Sequence, residues 1–105
     1  MSEGITLHVG SIAILCGATL DEARVADIRD AIPRALSNWP DVIDLLSRMG
    51  VSPHVELALA KSTVHALVHS GEAAATAVSV PAKATGYDVL AKILRELDAQ
   101  YKKQR

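Results

Sequence analysis

Apolar and polar positions alternate from the start of the chain. Residues 5–16 read Ile-Thr-Leu-His-Val-Gly-Ser-Ile-Ala-Ile-Leu-Cys, two β-branched runs on either side of Gly10-Ser11. A period of two marks strands with one buried face. Gly followed by Ser suits a two-residue turn of the II′ kind, because Gly accepts a positive φ at the first position. The hairpin this predicts pairs Val9 with Ile12, Leu7 with Ile14 and Ile5 with Cys16, all on one face. Thr6, His8, Ala13 and Leu15 make a second, mixed face. The alternative is one long strand bulged at Gly10.

The period then changes. Thr19 and Glu22 fit a capping box, which predicts a helix beginning near Leu20. Val25, Ile28, Ile32 and Leu36 recur at spacings of three and four, a helical stripe. Pro33 lies inside this stretch and predicts a kink or break near Asp30. Trp39-Pro40-Asp41 opens a second helix with Pro40 in the first helical position, and Gly50 closes it as a left-handed cap. Asp44 and Arg48 form an i,i+4 pair on it. Ser52-Pro53 reads as a cap followed by proline at the first position, so a third helix is expected from there to Ser70, ended by Gly71. At about 100° per residue, Leu57, Ala60, Val64, Leu67 and Val68 share one face of that helix. Val55, Leu59 and Ala66 share another. Farther on, Thr76, Val78 and Val80 alternate with smaller residues and predict a short edge strand ending at Pro81, which could add a third strand to the hairpin; the alternative is an alanine-rich loop. Thr85-Gly86-Tyr87-Asp88 is a capping-box-like start for a last helix. Its stripe is Tyr87, Leu90, Ile93 or Leu94, Leu97 and Tyr101, with a frayed tail at 102–105.

The expected architecture is therefore α+β within a single domain, residues 1–105. It consists of an N-terminal β-hairpin plus a bundle of about four helices, with a short edge strand before the last helix. A mainly α bundle is the alternative. The composition requires an aliphatic core: half of the residues are hydrophobic, 17 of them alanine and none phenylalanine.

Charge narrows the partners. The formal net charge of −1 lacks the basic excess of a general nucleic-acid binder and the acidic excess of a DNA mimic. Residues 1–50 carry four basic and seven acidic groups, and residues 51–105 carry seven and five. This split favours head-to-tail or partner contacts. No apolar run approaches the roughly 18 residues of a membrane span. Met1-Ser2-Glu3 offers no positively charged leader. The lone Cys16 allows no internal disulfide and fits a reducing, cytoplasmic setting.

Three constellations are candidates for chemistry. His65 and His69, four apart on the expected third helix, have the spacing of a transition-metal pair, with Glu72 as a possible third group. Their surroundings are those of an ordinary polar stripe, and Lys61 on the same stripe would repel a cation. The turn Gly50-Val51-Ser52 between two expected helices has the chemistry of a helix-turn-helix spanning Asp41 to Ser70. Glu56 stands where that motif wants an apolar residue, and His54 and Glu56 are poor readers of bases. Cys16 falls on the apolar strand face, where a thiol is a small hydrophobe. Gly17-Ala18-Thr19 lacks the further glycines and the lysine of a phosphate loop, so no cofactor is expected.

No enzymatic activity is expected from these residues. The reading is a small cytosolic interaction or regulatory protein that binds a protein partner. A homodimer would be joined through the third helix or a strand edge. Its expected contact residues are Leu57, Val64, Leu67, Val68 and Trp39. A DNA-binding regulator is the alternative, and a metal-dependent activity at His65 and His69 the third.

Overall fold

The computed structural model describes residues 4–69 and 75–103. Among them the order of elements is β1 (Ile5–Val9), β2 (Ile12–Cys16), α1 (Glu22–Asn38), α2 (Pro40–Arg48), β3 (His54–Ala60), β4 (Thr63–His69), β5 (Thr76–Pro81) and α3 (Gly86–Lys103). The strands form one sheet in the order β1-β2-β3-β4-β5. β2 and β3 run parallel, and the other three pairings are antiparallel. Gly71 and Glu72, the expected helix stop and third ligand, lie outside the described residues, as do the first three residues and the last two of the tail.

The N-terminal hairpin has the expected register: Val9 opposite Ile12, Leu7 opposite Ile14, Ile5 opposite Cys16. Gly10 takes φ +61°, and a Cβ there would sit 2.7 Å from the Ile43 side chain. Glycine thus serves both the turn and its close approach to α2. α2 also begins as expected, with Pro40 in the first turn. Gly50 follows it at φ +67°, and Arg48 reaches Asp44 at 3.1 Å.

The helical bundle is not formed. Among the described residues the fold is α+β, with three helices and a five-stranded mixed sheet. The expected third helix, from Ser52 to Ser70, is instead the hairpin β3–β4, which pairs His54 with His69 and Ala60 with Thr63. Val55, Leu57, Val64, Ala66 and Val68 are buried, while His54, Glu56, Ala58, His65 and Leu67 are exposed. This is a period of two. Plotted on a helix, it produces two apolar faces, the same pattern that a doubly packed helix would show. The Ala-Leu-Glu-Lys content of 56–61 favours helix locally, and pairing with β2 on one side and β5 on the other overrides it. The turn Lys61-Ser62 carries no glycine or asparagine to announce it, although Lys61 adopts φ 58°.

Two smaller expectations also change. Asp21, not Thr19, caps α1: its Oδ1 accepts the Arg24 amide at 2.8 Å. Thr19 Oγ1 accepts the Leu59 amide at 2.8 Å, beyond the last residue of β2, and so extends the parallel pairing with a side chain. α1 passes through Pro33 without interruption and ends at Asn38. Pro33 and Arg29 lie on its exposed side, where solvent reaches the carbonyl that loses its donor. Its buried stripe is Val25, Ile28, Ala31 and Ala35, and Leu36 is exposed.

β5 forms at the expected residues and is an edge strand, but it borders β4 rather than the N-terminal hairpin. α3 begins with reciprocal Thr85 and Asp88 hydrogen bonds, the capping box. The Gly86 amide donates to Asp27 Oδ2 at 2.7 Å, and a Cβ on Gly86 would lie 2.5 Å from the Asp27 backbone. α1 and α3 therefore touch backbone to backbone at this point. The core joins the inner sheet face (Leu7, Ile14, Val55, Leu57, Val68) to Ile28, Leu46, Leu90, Ile93, Leu94 and Leu97 of the helices.

The register makes a paired prediction. Leu7→Asp buries an unpartnered carboxylate and lowers stability by about 3 kcal/mol or more, whereas Thr6→Asp, on the exposed face, leaves it within about 0.5 kcal/mol. Urea unfolding of the two variants checks this, and equal midpoints would refute the register. At the β3–β4 turn, Lys61→Gly relieves a left-handed conformation that costs a side-chain-bearing residue roughly 1 kcal/mol or more. The melting temperature should rise.

Candidate functional site

All three helices pack against one side of the sheet, through the residues joined in the core. Among the described residues, no helix lies on the other side. Its described residues are exposed or half-buried throughout. The strand register arranges them in rows. Thr6, Leu15, Glu56, Leu67 and Ala77 form one row across all five strands. His8, Ala13, His54 and His69 form the next. Ala58, His65 and Ser79 make a third. The sequence contains four histidines, and all four lie on this face.

The polar groups there interact. The His54 and His69 rings stack, with centroids 4.4 Å apart and planes within 8° of parallel. His69 Nε2 lies 2.7 Å from Glu56 Oε2. A carboxylate oxygen can only accept, so His69 Nε2 carries the hydrogen and its Nδ1 keeps a lone pair in the neutral ring. His65 Nδ1 is 3.4 Å from Ser79 Oγ, a long contact. Leu15 and Leu67 are 40% and 38% exposed.

The residues singled out from the sequence separate sharply. Leu57, Val64 and Val68 point into the core and are at most 2% exposed, so they offer a partner nothing. Their burial completes the inner sheet face instead of one side of a helix. Leu67 alone of that group lies on the open face. Trp39 plugs the junction of α1 and α2, with the Arg95 guanidinium 5.8 Å from its ring centre. It borders a cleft of about 380 Å³ together with Asn38, Asp41, Asp44, Arg48 and Asp98.

His65 and His69 are not a helical pair. Four residues apart on a strand, they stand roughly 13 Å from each other, and each has a different neighbour. The helix-turn-helix also has no basis, because its second helix is strand β3. Sequence reasoning passed over His8, His54, Glu56 and Leu15 as a group. The signal was present: counted in twos outward from Lys61-Ser62, His54, Glu56, His65 and His69 fall opposite in phase to Val55, Leu57, Val64 and Val68.

Compared with family models, curated proteins and solved structures, the chain matches none. No helix among the described residues is long and apolar enough to cross a membrane.

Cys16 faces the core at 1% exposure, and burial pushes its thiol pKa up. In the native state it stays protonated and shielded. A thiol reagent should label it only after denaturant is added. The unfolded thiol ionises near pH 8.5 while the native one does not, so the native state holds the extra proton above that pH. Stability should fall as pH rises past about 8.5. Cys16→Ala should lose this part of the slope in denaturation curves taken across that range.

Proposed function

We propose that this chain is a small, non-catalytic cytosolic interaction protein that receives a protein partner on the open face of its sheet. A second copy of the chain is the simplest occupant. The observation that carries the reading is the composition of that face. A sheet side left to solvent is normally polar. Among its four histidines, Thr6 and Ser79, it presents Leu15 and Leu67 and the small residues Ala13, Ala58, Ala60 and Ala77, with Glu56 as its described carboxylate. Depletion of charge with retained apolar surface is the pattern of an interface centre. A face with few fixed charges also does not repel its own copy. The lone buried thiol suits a reducing compartment.

Size sets the expected strength. Five strands about 4.8 Å apart and about 20 Å long present on the order of 500 Å² of flat area. Two such faces together come to about 1,000 Å², at the small end of specific interfaces. The association should therefore be reversible and concentration-dependent.

Light scattering on the purified chain tests this. The expected mass rises from 11.1 kDa toward twice that value across the micromolar range. Leu15→Glu with Leu67→Glu should remain at the lower mass with an unchanged far-ultraviolet spectrum. A single-copy mass at every concentration removes self-association. In that case the wild-type chain and the double variant serve as paired baits, and equal capture by both would refute the open face as the docking surface.

A further inference from the structure

We propose that His54 and His69 form a binding site for a borderline transition-metal dication, with Glu56 as the residue that positions His69. The proposal stands apart from the interaction reading, because it rests on these three side chains alone. His54 and His69 are directly opposed on neighbouring antiparallel strands. Their rings extend the same way from the open face and already stack at 4.4 Å. Glu56 holds His69 Nε2 at 2.7 Å. A carboxylate on one nitrogen, leaving the other free to bind, is how metal-binding histidines are commonly held. The carboxylate fixes the tautomer and supplies negative charge beside the cation.

The geometry needs little change. Opposed Cβ atoms on paired strands are about 5 Å apart, and a metal–imidazole bond is about 2.0–2.1 Å, so one ion spans both rings. The rings now lie parallel, and a turn about their broad terminal torsions converges the lone pairs. The His69 and Glu56 side chains are 28% and 49% exposed, which leaves an ion access from solvent. Lys61 sits in the turn at the far end of the hairpin, and His65 stands two rows beyond the pair, on the other side of Leu67.

Among the described residues no three His, Cys, Asp or Glu side chains converge as ligands. The pair thus provides two bonds and leaves the other positions to water. This makes an open, exchangeable site rather than a structural one. Two imidazoles select copper, nickel or zinc over the hard ions magnesium and calcium, with Cu²⁺ bound most tightly.

Calorimetric titration of the full chain with zinc chloride, then copper chloride, in a non-chelating buffer tests the proposal. One ion per chain is expected, with Cu²⁺ tighter than Zn²⁺, no binding of Mg²⁺, and a melting temperature that rises with added Zn²⁺. His54→Gln and His69→Gln should each weaken Zn²⁺ binding at least tenfold. Glu56→Gln should weaken it by about tenfold while the metal-free melting temperature holds, a split that a purely structural role would not produce. His8→Gln and His65→Gln should bind as the wild type does. Absence of saturable binding, or binding that survives His54→Gln combined with His69→Gln, overturns the site. So does loss through His8→Gln or His65→Gln alone.

Discussion

The parallel pairing of β2 with β3 organises the molecule. It joins two antiparallel units, the β1–β2 hairpin and the β3–β4–β5 meander, into one sheet. Parallel neighbours cannot be connected by a tight turn, so the chain must cross from one end of the sheet to the other. α1 and α2 are that crossing. The pairing is held at its start by the Ala13 amide on the Pro53 carbonyl and at its end by the Gly17 amide on the Leu57 carbonyl. Thr19 then satisfies the Leu59 amide where β2 has run out. A hydroxyl standing in for a strand explains why this threonine is not available to cap α1.

The crossing places two helices on one side, and α3 returns to the same side after β5. With no phenylalanine in the chain, this layer must be filled by short aliphatic side chains at small backbone separations. Ala31 and Ala35 in α1, and Gly86 at the start of α3, allow that approach. Trp39 closes the corner where α1 hands over to α2, and Tyr87 is the other ring packed against the core. Packing density is thus achieved by bringing backbones together rather than by large rings.

Once the three described helices are on one side, no described element covers the other. Its composition is unusual for a solvated surface: four histidines, two leucines, several alanines and a carboxylate tied to one of the imidazoles. The same strand register that buries Val55 and Val68 opposes His54 to His69, because alternate residues on a strand face opposite ways. Core and surface chemistry on β3 and β4 are therefore one decision. A slip of one residue would carry the histidines into the core and the valines to the surface.

The sequence alone determined the elements whose signals are local. Gly10-Ser11 set the first hairpin and its register, Pro40 and Gly50 bounded α2, Thr85 and Asp88 started α3, and Pro81 ended an edge strand. Each rests on a turn or cap made within a few residues of itself. What the sequence could not decide was residues 52–70. Their alternation is legible, but Ser52-Pro53 imitates a helix start, and Lys61-Ser62 lacks the usual residues of a hairpin turn. Over 54–69 only hydrogen bonding to β2, some forty residues back, and to β5 beyond the next connection selects strand over helix. The open face was illegible for the same reason. His8 and Leu15 belong to one hairpin and His54, Glu56, Leu67 and His69 to another, and no local spacing relates them. The long-range parallel pairing alone brings them onto a single surface.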